Sequence, residues 1–103
     1  MKRKTDRVKK LTESWRSFVE QVEKGYPLGL YDYRNDLDAR AILRRESAET
    51  AEIEALDQRL KKMLTARKKR VWTSGDDKPF WDFGYPRNAS GELLEDLREE
   101  GLA

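Results

Sequence analysis

The chain has 103 residues, of which 41% are charged and 37% hydrophobic, and its formal net charge is +2. It contains no cysteine and no histidine, which excludes disulfides and thiolate chemistry and removes the usual neutral-pH base. These values predict a single small domain, residues 1–103, with a thin core made by helices that each carry one narrow apolar stripe.

Apolar residues recur three or four positions apart near the start of the chain, which is the spacing of one helix face. This stripe comprises Val8, Leu11, Trp15, Phe18, Val19 and Val22. Gly25 follows it and suits the left-handed position just beyond a helix end. The sequence therefore predicts a first helix ending near residue 24, after a basic and frayed start at residues 1–6.

A turn at residues 26–30 is predicted to lead into a second helix. The apolar stripe of this helix comprises Tyr33, Leu37 and Ala41. Asp32 or Asn35 is the expected N-cap, because short polar side chains can accept hydrogen bonds from the free backbone N–H groups of a first helical turn.

Neither Gly nor Pro occurs between Asn35 and Trp72, so the helical region is expected to run on to that tryptophan. A third stripe comprises Ile53, Leu56, Leu60, Met63, Leu64 and Val71. It lies about 110° around the helix axis from the second stripe. One straight helix would therefore present the two stripes on different faces. We expect a break near residues 45–50, where Ser47 and Thr50 can cap; one long bent helix is the alternative.

A loop and an aromatic arm are predicted at residues 73–90, followed by a short helix from Ser90 to Glu100. The arm contains Phe80, Trp81, Phe83 and Tyr85 and is expected to cover the helices; a platform on which nucleic-acid bases stack is the alternative. Gly101 and Leu102 are expected to end the last helix in a Schellman motif. The fold class is therefore mainly α: a helical hairpin or three-helix bundle with an aromatic non-helical arm and a short C-terminal helix.

Aromatic and charged residues concentrated in the second helix and the arm predict a surface for a protein partner. The candidate partner-binding residues are Tyr31, Tyr33, Asp36, Arg40, Trp72 and Trp81. In the competing structural interpretation, Asp36 pairs with Arg40 along the helix surface. The tyrosine rings then pack on Trp15 or Phe18 and keep their hydroxyls in water.

A basic run provides a second candidate site, because phosphate backbones bind lysine and arginine clusters. The candidate phosphate-binding residues are Arg67, Lys68, Lys69 and Arg70. Three features weigh against a nucleic-acid partner. Acidic residues open the same helix and basic residues close it, which is also the arrangement that complements a helix dipole. The net charge is small, and the acidic segment from Glu92 to Glu100 can fold back on the run. A solvated or internally paired basic face is the favoured interpretation.

One longer pattern runs through the first half of the chain. Its residues are Trp15, Val22-Glu23, Gly25-Tyr26, Tyr31-Asp32-Tyr33, Asn35-Asp36-Leu37 and Arg40. The pattern resembles that of small bacterial proteins sharing W…VE.GY…DY.NDL..R, a group with no established function. The resemblance implies a bacterial cytoplasmic source and a helical fold, and it implies no activity.

Together these features predict a non-enzymatic protein-interaction or adaptor module of the cytoplasm. We expect it to self-associate through the apolar stripe of the first or third helix. The alternative is a basic helical protein associated with nucleic acid or the ribosome. No cofactor, metal or membrane partner is expected, since no ligand motif has diagnostic spacing and no segment has the length of a membrane span.

Overall fold

The computed structural model describes the backbone of residues 2–65 and 69–103, and the side chains of these ranges from residue 6 onward. The protein is mainly α-helical. Its elements are α1 (Lys2–Lys24), α2 (Leu30–Arg45), α3 (Ala51–Met63), a 3₁₀ turn (Phe80–Asp82) and α4 (Gly91–Glu99). The predicted fold class is confirmed: three packed helices, an aromatic arm and a short C-terminal helix.

The first two helices run antiparallel. Near the carboxyl end of α1, the Phe18 ring lies 5.3 Å from the ring of Tyr33 on the first turn of α2. Near its amino end, Arg7 forms an ion pair of 2.9 Å with Glu46, which follows the last turn of α2. The chain reverses through Gly25, whose φ of +112° is left-handed as predicted.

The break between α2 and α3 lies where the sequence predicts it, so one long bent helix is ruled out. The Thr50 hydroxyl accepts a hydrogen bond from the backbone three residues on, at 3.2 Å, and is the N-cap of α3. Ser47 acts through its backbone, with φ of +55°. Its N–H donates to the Arg44 carbonyl and the Ala48 N–H to the Leu43 carbonyl, both at 3.0 Å, which is a Schellman motif.

The third helix ends at Met63, so its predicted continuation to residue 72 is wrong. Isolated antiparallel bridges instead join Leu64 to Pro86 and Arg70 to Phe83. The Thr65 N–H donates to the Tyr85 carbonyl at 2.8 Å. Because the aromatic arm provides partners for these backbone groups, the segment leaves the helix without needing Gly or Pro.

The core lies between the three long helices and is closed by the arm. Trp15 and Trp81 are fully buried, with ring centroids 6.2 Å apart, so the arm is docked as predicted; Trp72 is only partly buried. The most buried parts of the α1 and α3 stripes are Trp15, Phe18, Val19, Val22, Ile53, Leu56 and Leu60. These buried residues face the interior of a single chain and offer no surface for self-association, whereas Val8, Leu11 and Met63 of the same stripes are only partly buried.

The end of α4 matches its prediction. The Leu102 N–H donates to the Leu97 carbonyl at 2.8 Å and the Gly101 N–H to the Arg98 carbonyl at 3.1 Å, which completes the Schellman motif. Before α4, the Asn88 side-chain amide donates to a backbone carbonyl in the last turn of α1 at 3.0 Å. The Asn88 contact joins the segment before α4 to α1.

Candidate partner-binding surface

The six candidate partner-binding residues do not form one surface. Tyr33, Arg40 and Trp81 are buried, each exposed by 2% or less. Asp36 and Trp72 are partly buried, and Tyr31 is 76% exposed. The structure brings two of the six together, because Tyr31 and Trp72 line the same groove.

This groove lies between α2 and α4 and encloses about 370 Å³. Its lining residues are Leu30, Tyr31, Arg34, Asn35, Trp72, Asp96, Glu99 and Glu100. Leu28, in the turn before α2, is 44% exposed. Within the ranges described, Leu28 and Tyr31 are the exposed large apolar side chains. The groove together with Leu28 and Tyr31 is called the Tyr31 surface below.

The amino end of α2 is capped by a residue far away in the sequence. The Leu30 N–H donates to Asp96 Oδ2 of α4 at 3.0 Å. The predicted N-caps, Asp32 and Asn35, are wrong; the N-cap position is Gly29, which has no side chain. A Cβ at Gly29 would lie 2.7 Å from Asp96 Oδ2, so glycine allows this approach. A carboxylate at this position also complements the helix dipole.

Arg34 joins the two walls of the groove. Its guanidinium donates to both carboxylate oxygens of Glu100, at 3.1 and 2.8 Å, and its Nε donates to the Val71 carbonyl at 2.9 Å. It also lies 5.2 Å from the centroid of the Trp72 ring. Trp72 Nε1 in turn donates to Asp38 Oδ1 at 2.7 Å. The hydrogen bond from Arg34 lowers the pKa of Glu100, so this pairing is retained at neutral pH and is lost only in acid.

Arg40 is the centre of a buried ionic network rather than a surface contact. It donates to both oxygens of Asp57, at 3.1 and 2.7 Å, and to both oxygens of Glu49, at 3.0 and 2.7 Å. The Trp15 indole N–H donates to the same Asp57 at 3.0 Å, and the guanidinium lies 4.5 Å from the Trp81 ring centroid. Burial opposes the charge of Arg40, but the two carboxylates outweigh it and raise the pKa.

Asp36 bonds to a tyrosine, so its predicted pairing with Arg40 is wrong. The Tyr26 hydroxyl donates to Asp36 Oδ2 at 2.7 Å. Burial raises the pKa of Asp36, and this hydrogen bond partly offsets that effect. The rings of Tyr26 and Tyr33 pack on Phe18 as predicted, but their hydroxyls are not in water. Among the described residues, the buried Tyr33 hydroxyl has no hydrogen-bond partner.

Of the four candidate phosphate-binding residues, Arg67 and Lys68 lie outside the described residues. The Lys69 amino group donates to the Gly101 carbonyl at the end of α4. Arg70 is held by the neighbouring loop: it donates to the carbonyls of Trp72 and Gly75, at 2.9 and 2.6 Å, and to Asp82 at 3.1 Å. The described half of the run is therefore engaged within the chain.

Asp82 is fully buried and organises the loop at residues 73–79. It accepts hydrogen bonds from the Ser74 backbone N–H, the Ser74 hydroxyl and Arg70, at 3.0, 2.7 and 3.1 Å. The Ser74 hydroxyl also accepts from Trp81 Nε1 at 2.9 Å. Nothing in the sequence pattern marked Asp82, because its partners, Ser74 and Arg70, lie 8 and 12 residues away in the sequence.

Comparisons with protein-family models, with curated proteins and with solved structures find no match to this chain. The resemblance to small bacterial proteins therefore stays a prediction. In the described part of the chain, no cluster of three or more acidic side chains could hold a metal ion. No helix there has the length and apolar character needed to cross a membrane.

Proposed function

We propose that this protein is a non-enzymatic interaction module that binds another protein through the Tyr31 surface. The exposure of Tyr31 is the observation that carries the proposal. Tyrosine is enriched at protein interfaces because its rigid ring buries a large area at a small cost in conformational entropy. A bacterial cytoplasmic setting is part of the proposal and rests on the sequence pattern.

The structure around Tyr31 supports this role because hydrogen bonds within the chain already hold the two sides of the groove together. Asp96 fixes the first turn of α2, and the Arg34–Glu100 pair holds α4 against it. Leu93 and Leu97 anchor α4 in the core. A partner would therefore meet a preorganised groove, which lowers the entropic cost of binding.

The alternative, a protein associated with nucleic acid or the ribosome, has less support. Lys69 and Arg70 make hydrogen bonds within the chain. Other arginines form ion pairs with carboxylates, namely Arg7 with Glu46, Arg16 with Glu52, Arg34 with Glu100 and Arg59 with Glu23. The net charge of only +2 makes the whole chain a weak attractor for a polyanion.

Site-specific photo-crosslinking in cells that produce the protein tests this proposal. With a photoreactive phenylalanine analogue in place of Tyr31, we expect discrete adducts to a second polypeptide. The matched control carries the analogue at Lys78, an exposed residue of the 73–79 loop. This loop adjoins the other end of α2 through the Arg44–Asp77 ion pair. The control should give no adduct.

Adding Leu28→Asp should remove the adduct at position 31, since it places a charge on the exposed apolar part of the Tyr31 surface. Leu28 is exposed, so the fold should tolerate this change. No adduct at position 31, or equal adducts at positions 31 and 78, would contradict the proposed function.

A further inference from the structure

We propose that the Tyr31 surface binds the basic amino end of α1 from a second copy of this chain. This inference rests on the proposed function and goes beyond it by naming the partner. The first support is the charge of the α4 side of the groove. Asp96 and Glu99 of α4 and the adjoining Glu100 line the groove, against the single lining cation Arg34, which pairs with Glu100.

The amino end of α1 carries the complementary charge. Its basic residues are Lys2, Arg3, Lys4, Arg7, Lys9 and Lys10, against the single acidic residue Asp6. The side chains of Arg7, Lys9 and Lys10 are exposed. Two such patches of opposite charge attract each other over about 10 Å at moderate salt and steer the approach of two molecules.

The side chains that line the two regions are also complementary in chemistry. A hollow of about 450 Å³ at the amino end of α1 is lined by Asp6, Arg7, Lys10 and Leu11. Its wall is therefore part apolar and, with two cationic side chains against one carboxylate, net basic. The Tyr31 surface offers the reverse, a projecting tyrosine and leucine beside carboxylates. A tyrosine ring in this hollow would contact Leu11 and also the cationic groups of Arg7 and Lys10.

Geometry prevents the two regions of one molecule from meeting. Arg7 pairs with Glu46 beyond the carboxyl end of α2, whereas Tyr31 lies on the first turn of that helix. The 16 residues of α2 separate these ends by about 24 Å at 1.5 Å per residue. Docking must therefore occur between copies, head to tail. Such a contact uses two different patches and builds chains or closed rings.

Sedimentation velocity of the purified full chain over a wide concentration range tests this inference. At about 50 mM salt we expect species larger than a monomer whose share grows with concentration. At about 500 mM salt the apparent dissociation constant should rise by about tenfold or more, because the contact depends on screened charges.

Two variants, each altering one side of the contact, sharpen the test. Lys9→Glu with Lys10→Glu alters the basic end, and Tyr31→Ser with Glu99→Lys alters the Tyr31 surface. Each should be monomeric alone, and an equimolar mixture should form a dimer and nothing larger, since only one intact contact remains. Lys62→Glu with Lys78→Glu makes the same charge change at other exposed lysines and should associate like wild type.

The inference is overturned if the wild-type chain stays monomeric at every concentration, or if both variants still associate. It is also overturned if the mixture of the two variants stays monomeric although each variant gives a folded circular-dichroism spectrum. A variant that fails to fold is replaced by the salt series on the wild type, which decides alone. A monomeric wild type together with a position-31 adduct to a different protein would leave the proposed function standing and remove only this inference.

Discussion

Replacing Arg40 with leucine is expected to lower the free energy of unfolding by about 3–5 kcal/mol, because it leaves buried carboxylate charge without its partner. Asp57 is 8% exposed and receives two hydrogen bonds from Arg40. The guanidinium also contacts the buried Trp81 ring, so packing is lost with the charge. Urea denaturation followed by circular dichroism measures the change.

Arg44→Leu is the matched control. Arg44 also lies over the Trp81 ring and pairs with an aspartate, Asp77, but both partners of that pair are about half exposed. Loss of this exposed ion pair should lower the free energy of unfolding by less than about 1 kcal/mol. Combining Arg40→Leu with Asp57→Leu should recover part of the lost stability, since the buried carboxylate is then removed and the remaining partner, Glu49, is 41% exposed and can be hydrated. Equal costs for Arg40→Leu and Arg44→Leu would contradict the buried network.

Replacing Asp82 with alanine is expected to cost about 2–4 kcal/mol, because three donors lose their acceptor inside the protein. The donors are the Ser74 backbone N–H, the Ser74 hydroxyl and Arg70. The loss of stability should be local as well as global. The backbone amide of Ser74 should therefore exchange its hydrogen with solvent much faster than in the wild type. Hydrogen exchange read by mass spectrometry over residues 73–79, with urea denaturation beside it, measures both effects.

Asp77→Ala removes a carboxylate from the same loop and is the control for Asp82→Ala. Its side chain is half exposed, and the ion pair with Arg44 is a surface one. The expected cost is below about 1 kcal/mol, with little change in exchange at Ser74. If Asp82→Ala behaves like Asp77→Ala, then Asp82 does not organise the loop.

Elements with local signals were predictable from the sequence. The ends of α1 and α4 depend on glycines that directly follow an apolar stripe, and both predictions are confirmed. The start of α2 was not predictable, because its cap, Asp96, lies 66 residues further on. The end of α3 depends in the same way on the distant arm, which pairs with the backbone beyond Met63.

The candidate site was predictable only in part, because residue type does not reveal which way a side chain faces. Tyr31 and Tyr33 are two residues apart on one helix, so one faces the core and the other faces solvent. The sequence did contain a signal for the burial of Arg40, which follows Leu37 by three residues on the apolar face. The acidic wall of the groove was missed, because only the fold brings α4 to α2.

The central claim is that the Tyr31 surface binds a second copy of this chain and that this binding leaves the core network unchanged. The indole N–H signals of the three tryptophans in NMR spectra of the isotope-labelled protein test it most directly. Trp72 lines the groove, whereas Trp15 and Trp81 are buried. As the protein concentration rises at low salt, the account predicts a shift of the Trp72 signal alone. A stationary Trp72 signal, or an equal shift of Trp15, would contradict it.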